Sequence, residues 1–353
     1  MVRCKCRRKI MKHVGKGVVL FLAISLIVSS MLFAGGEQEG KTEPGVQKLS
    51  VMLYSSLKDS QLAAIREGFM KKYPHISMDY YTAGTGNVMT KLAAEQQAGG
   101  ISADIIWVGD PTNYLDFKKQ GLLMPYDSPA AADIPDKFKD PQRLYMSARL
   151  VMLGFVYNTN LVKGDQIPHT WEDLLKPEFK DYIAMTDPTS SGTTLFTVAG
   201  LVQNPRYGWE YFAKLKANGI KLENGSSGVV NKAAAGEYKV SIGVDYIART
   251  VMAQGSTIGF VYPDNDIPII ESPIAIIKNT KNPEAAKLLY DYIISEEGQT
   301  VLLEEFTLPI NPKMVLANSI DVKDAEARML PVDIEFLVTE KLSMLEKFDK
   351  IFK

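Results

Sequence analysis

The sequence predicts an α/β protein with room for two domains. A chain of 353 residues is longer than a single hydrophobic core usually serves. Its 46% hydrophobic and 23% charged residues are those of an ordinary globular protein. Short apolar or alternating runs recur between helical patterns, and small polar residues stand where each run passes into the next helix. That is the α/β pattern in which ligands gather at the carboxyl edge of the sheet.

The N-terminus stands apart. Arg3, Lys5, Arg7, Arg8, Lys9, Lys12 and Lys16 precede an uncharged run from Gly17 to Gly36, and no acid occurs before Glu37. A basic region, an apolar region and the small residues Ala34-Gly35-Gly36 read as a secretory signal peptide over residues 1–36. The apolar region is long enough for an uncleaved membrane anchor as the alternative, and Met11 is an alternative start. The polar residues 37–47 read as a flexible tether. Both cysteines, Cys4 and Cys6, fall in the leader, so the exported part has no disulfide, cysteine metal site or thiol nucleophile. No cysteine closes the apolar run, as a bacterial lipid anchor requires. Losing seven positive charges with residues 1–34 takes the formal net charge from −1 to −8, which argues against a nucleic-acid partner or an anionic membrane surface. A periplasmic location fits all of this.

The remaining elements follow in order. Residues 48–54 alternate as a strand, and Ser55-Ser56 is expected to open a helix reaching Tyr73, where Pro74 stops it. Residues 76–81 form a second strand, and Gly84-Thr85-Gly86 turns into a helix ended by Gly99-Gly100. A third strand, 103–108, runs to a turn at Gly109-Asp110. Val151–Tyr157 is the next strand, and Trp171–Leu175 a short helix. The apolar run Ile183-Ala184-Met185 then reaches Asp187-Pro188-Thr189-Ser190-Ser191-Gly192-Thr193-Thr194, which reads as strand, turn and helix N-terminus. Unpartnered amides, the positive end of the helix dipole, and hydroxyls around Gly192 together suit a small anion. Helices over 207–217 and 228–235 precede a strand, 239–244, that delivers Asp245-Tyr246. Strands over 259–263 and 272–277, helices over 283–295 and 297–306, and a last amphipathic helix over 334–352 complete the chain.

Several of these segments, taken in sequence order, resemble a known group. They are Tyr54-Ser55-Ser56, Ala103-Asp104-Ile105-Ile106, Val156-Tyr157-Asn158-Thr159, Trp171–Phe179, Asp187–Thr193 and Leu308-Pro309-Ile310-Asn311-Pro312. From about Lys48 to the C-terminus the chain resembles the periplasmic substrate-binding proteins of ABC importers, in the branch holding ferric-ion, phosphonate and sugar-phosphate binders. The resemblance implies a type II fold of two α/β lobes, with mixed sheets flanked by helices and a ligand cleft at the hinge. It implies lobes of 48–150 plus 275–320 and 151–268 plus 321–353, with crossings near 150–158 and 268–275. It also implies hinge closure over the ligand, a membrane permease as partner, a monomer, and no cofactor.

The same resemblance implies the site. Ferric members hold iron through paired tyrosines, a histidine and a glutamate. Here the tyrosine pair falls on Tyr246-Ile247, the histidine position on Lys58, and the glutamate position on Gly109 or Asp110. An iron site of Asp245, Tyr246 and Asp110 is the alternative. The anion half is intact, so the expected ligand is a small anionic solute such as a phosphonate or sugar phosphate. Its expected contacts are Ser55, Ser56, Lys58, Asp110, Ser190, Ser191, Gly192, Thr193, Thr194, Asp245, Tyr246 and Tyr262. His75 and His169 are expected at the surface.

Catalysis has weaker support. Ser55-x-x-Lys58 matches a serine–lysine hydrolase pattern, but no Ser-Asp-Asn or Lys-Thr-Gly accompanies it. Gly225-Ser226-Ser227-Gly228 lacks the spacing of a nucleophile elbow, and Gly84-x-Gly86 lacks a third dinucleotide-loop glycine. Glu296-Glu297 and Glu304-Glu305 fall on helix surfaces. No enzymatic activity is expected.

Overall fold

The computed structural model describes residues 49–353. The signal peptide and tether expected over 1–36 and 37–47, with Cys4 and Cys6, lie outside the described residues. Among the described residues no helix is long and apolar enough to cross a membrane.

The described residues open with β1 (Leu49–Ser55), α1 (Asp59–Lys72), β2 (Ile76–Thr82), α2 (Thr85–Gln97), β3 (Ile105–Trp107), α3 (Thr112–Lys119) and β4 (Leu123–Met124). β1 pairs in parallel with both β2 and β3. Ser55 ends its strand instead of opening the helix. Its hydroxyl donates to the Trp107 carbonyl at 2.8 Å and accepts from the Leu57 amide at 3.1 Å, which holds it in the sheet.

β5 (Met146–Asn158) is the strand both halves share, and it is buried along nearly its whole length. It leads to β6 (Ile183–Thr186), α4 (Gly192–Gln203), α5 (Gly208–Ala217), β7 (Lys221–Glu223), α6 (Ser226–Ala234), β8 (Val240–Val244), α7 (Asp245–Ala253) and β9 (Ile258–Val261). β6 is parallel to β7 and β8, whereas β5 runs antiparallel to β8 and β9. The chain then returns through β10 (Ile269–Ile277), antiparallel to β3, β4 and the first part of β5. α8 (Pro283–Ile294), α9 (Glu296–Glu304), α10 (Val322–Ala327) and α11 (Ile334–Phe352) follow.

The result is a two-lobed α/β molecule with two mixed sheets continuous through β5. Leu53, Phe69, Ile105, Trp107, Ile274 and Leu289 belong to the core on one face of the first sheet, and Val88, Ile106 and Tyr114 to the core on its other face. Phe155, Trp171, Ile183, Val198, Phe212 and Ile242 centre the core of the second half. Ala325 packs in the first core and Leu330 in the second, so the chain passes between the halves once more there. Leu337, Met344, Phe348 and Phe352 lie along one face of α11 and close the second core.

Candidate functional site

A cavity of about 310 Å³ lies where strand ends and helix starts of both halves meet. The first half contributes Ser56, Leu57, Lys58 and Asp59 before and at the start of α1, Thr82 to Thr85 before α2, and Gly109 after β3. The second half contributes Ser190 to Thr193 at α4, Asn224 to Gly228 at α6, and Val244, Tyr246 and Ile247 at α7. Five helix N-terminal turns therefore border one space. Each supplies amides that its own helix cannot satisfy and a partial positive charge.

The loop before α4 is built to expose such amides. Asp187 accepts from the amide and hydroxyl of Thr189, and the Ser190 amide and hydroxyl both bond the Asp187 carbonyl. This tight turn ends β6. Ser191 then caps α4 by accepting from the Thr194 amide at 3.3 Å, and its hydroxyl lies 3.1 Å from that of Ser226 at the start of α6. The amides of Gly192 and Thr193 have no intrahelical partner. Gly192 sits where a Cβ would come within 2.7 Å of the Asp110 Cβ, so only glycine fits this approach.

Two cations face the cavity. Burial pushes the Lys58 ammonium down to about 8, opposed by Glu305 and reinforced by Arg149. Arg149 is 2% exposed, and no carboxylate pairs with it among the described residues. Its Nε donates to Ser272 Oγ at 3.4 Å and its NH1 to Gln61 Oε1 at 3.5 Å, both long. Its guanidinium lies 5.0 Å from the Tyr246 ring centroid and 5.7 Å from that of Trp107, while Lys58 Nζ lies 5.3 Å from Tyr246. The one carboxylate among the lining residues, Asp59, is exposed and accepts from the Tyr80 hydroxyl at 2.9 Å.

A β-bulge aims Arg149. Opposite β10, Arg149 pairs with Ser272 but Ser147 pairs with Pro273, which leaves Ala148 as the extra residue. Ser147 consequently bonds Glu271 at 2.5 Å on the face away from Arg149, although the two residues are only two positions apart. Strict alternation would have put them on the same face.

Of the residues expected from the sequence, Ser56, Lys58, Ser190, Ser191, Gly192, Thr193 and Tyr246 line the cavity. Ser55, Thr194, Asp110, Asp245 and Tyr262 do not, each for a definite reason. Ser55 is held in the sheet. The Thr194 hydroxyl donates to Ser191 Oγ at 3.2 Å. Asp110 accepts from the amide and hydroxyl of Thr112 in a turn leading into α3 and pairs with Lys341 at 2.7 Å. Asp245 is buried behind the cavity, accepting from the amides of Tyr246 and Met152 and from the Tyr262 hydroxyl at 3.2 Å. Burial raises its carboxyl to about 6, partly opposed by those hydrogen bonds and Arg249. Arg149, Thr85, Ser226 and Ser227 line the cavity without having been singled out as contacts. The run Asn224-Gly225-Ser226-Ser227 could have signalled itself as a second loop of small hydroxyl residues at a helix start.

Among the described residues no group of three histidine, cysteine, aspartate or glutamate side chains is placed to hold a metal. His169 is exposed and lies 3.7 Å from Asp264, away from the cavity. Tyr246, the tyrosine of the alternative iron set, stands beside two cations, while Asp110 and Asp245 are committed elsewhere.

Comparison with known proteins places these features in context. Residues 101–337 match the family described as bacterial extracellular solute-binding protein. A probable ABC transporter periplasmic-binding protein, y4fP of Sinorhizobium fredii, is 23% identical over 282 residues, covering 76% of this chain and 77% of that one. The periplasmic binding protein AfuA of Actinobacillus pleuropneumoniae, solved with fructose-6-phosphate bound, superposes with a TM-score of 0.77 at 24% identity, over 86% of this chain and 99% of that one. Iron-bound HitA of Pseudomonas aeruginosa gives a TM-score of 0.74 at 19% identity, over 85% and 99% of the two chains. At these identities the two solved structures share the fold.

Proposed function

The chain belongs to the bacterial extracellular solute-binding protein family, and from that premise we propose that it captures a small phosphorylated or phosphonate solute in the periplasm for an ABC importer. Arg149 carries this reading. An uncompensated guanidinium is costly to bury, and burial is tolerated where a partner anion arrives. Planar guanidinium donors match phosphoryl oxygens, helix N-terminal amides add further donors, and Lys58 adds a point charge. The cavity of about 310 Å³ lies at the small end of ligand pockets.

The lining residues include no histidine or cysteine, and Ser55 is buried against Trp107. Binding without turnover is the activity that fits. The solute would be released to a membrane permease, and the chain would act as a monomer, with lobes divided at β5, at the passage into β10, and between Ala325 and Leu330. Ferric iron is disfavoured because Lys58 and Arg149 flank the one candidate tyrosine, and like charge opposes a trivalent cation there.

Native mass spectrometry of protein purified without refolding, together with a thermal-shift screen, tests this. The expected results are a co-purified phosphorus-containing compound and stabilisation by phosphate esters or phosphonates, since a ligand of the folded state stabilises by mass action. Stabilisation by ferric citrate alone would overturn it. So would a visible tyrosinate–iron band that disappears in Tyr246→Phe.

A further inference from the structure

We infer that Gly84 and Gly86 are closure residues: they let the two halves meet over the solute, and their lack of a side chain serves the contact between halves, not the local fold. This rests on the cavity being one that closes.

Neither glycine has a backbone that demands glycine. Gly84 precedes α2 with φ −54, and neither residue is among the positive-φ positions. Gly86 lies inside the first turn of α2, where alanine is the better helix former. What excludes a side chain comes from the other half. A Cβ on Gly84 would come within 2.5 Å of the Ser190 carbonyl oxygen, and a Cβ on Gly86 would overlap the Thr189 carbonyl oxygen. Both opposing atoms are backbone and cannot swing aside. They belong to the turn that Asp187 holds rigid before α4.

The seam continues along the same segment of the second half. A Cβ on Gly109 would meet Thr193 Cγ2 at 3.2 Å, and Gly192 lies against Asp110. Glycines of each half thus lie against residues of the other, so the backbones can approach closely enough to bring five helix N-termini onto one guest. A methyl group at Gly86 would act as a wedge, tolerated with the halves apart and refused when they meet.

The test needs no ligand. The described residues contain no cysteine, so a Gly109→Cys/Thr193→Cys pair can report closure; replacing Thr193 also removes the methyl group that opposes a side chain at Gly109. Under copper–phenanthroline and air, a disulfide forms only while the halves are together. Adding Gly86→Ala is expected to slow its formation at least tenfold, with the thermal midpoint of the reduced protein unchanged or raised. An unchanged rate would overturn the inference. So would a lowered midpoint, which would make Gly86 a residue of the local fold, or no disulfide in either background, which would mean that this seam never forms. Because no solute is added, a negative result here is separate from a failure of phosphorylated compounds to bind.

Discussion

Lys341 Nζ lies 2.7 Å from Asp110 Oδ2 and 3.3 Å from Asn113 Oδ1, which ties the last helix to the loop after β3 in the other half. Asp110 is fully buried, whereas the Lys341 side chain is 27% exposed. Removing one partner of a fully buried pair costs about 3–5 kcal/mol, and the exposed lysine reduces that to about 1–2 kcal/mol. Opening the halves would hydrate Asp110, so the cost falls on the closed form. Lys341→Met is expected to weaken solute binding about 5–30-fold while changing the ligand-free thermal midpoint little. Calorimetric titration beside a melting curve separates the two effects. An unchanged affinity would show that the pair plays no part in closure.

Arg149→Met should separate stability from binding more sharply. The variant removes a buried charge that only long hydrogen bonds and two aromatic rings compensate, and it fills the space with apolar atoms. The ligand-free protein is expected to melt higher, by about 1–3 kcal/mol of stability, with the response to any phosphorylated compound lost. A lower melting point together with retained binding would remove Arg149 from the proposed anion site.

Why the sequence showed the Gly192 loop and hid Arg149 follows from local physics. The loop announces itself because an apolar strand, an Asp-Pro turn, a hydroxyl cluster and a helix start are all short-range signals, and β6 and α4 fall where that pattern puts them. Arg149 sits in Met146-Ser147-Ala148-Arg149-Leu150, where a charge interrupts the apolar run and a bulge breaks the period-2 pattern. The expected strand therefore began at Val151. Asp110 misleads in the opposite way. It stands at a strand end, as cleft residues do, but its partner Lys341 is 231 residues away, and no local pattern foretells that pair. α11 was legible to its ends because its apolar face is regular, whereas α10, with six residues, is too short for periodicity to reveal.

Lys58 predicts how binding depends on pH. Burial holds its ammonium down to about 8 in the ligand-free protein, and a bound anion would raise it again. Affinity is therefore expected to be level below pH 8 and to fall as pH rises through that value, with proton uptake on binding in that range. In Lys58→Met the fall should vanish and binding should be weaker throughout. Titration in two buffers of different ionisation enthalpy, across pH 7–9, measures both. Equal proton uptake in the two proteins would assign the effect to another group.

Asp245 predicts how stability depends on pH, with the sign fixed by the direction of its shift. Burial raises its carboxyl to about 6 from the ordinary 3.8, so the folded state holds a proton that the unfolded state has already lost. Its contribution is fully present below pH 3.8 and is lost as pH rises through 6, a decline of about 1–3 kcal/mol from this group alone. Asp245→Asn keeps an oxygen to accept from the Tyr246 and Met152 amides, and its amide group can donate to the Tyr262 hydroxyl. The variant should therefore be the more stable protein at pH 7, with its advantage over wild type closing as pH falls toward 4. Urea unfolding at pH 4, 5, 6 and 7 measures the difference directly. Parallel curves for the two proteins would mean that Asp245 titrates like an exposed carboxylate, and that the space behind the cavity is wetter than its packing against Met152 and Tyr262 implies.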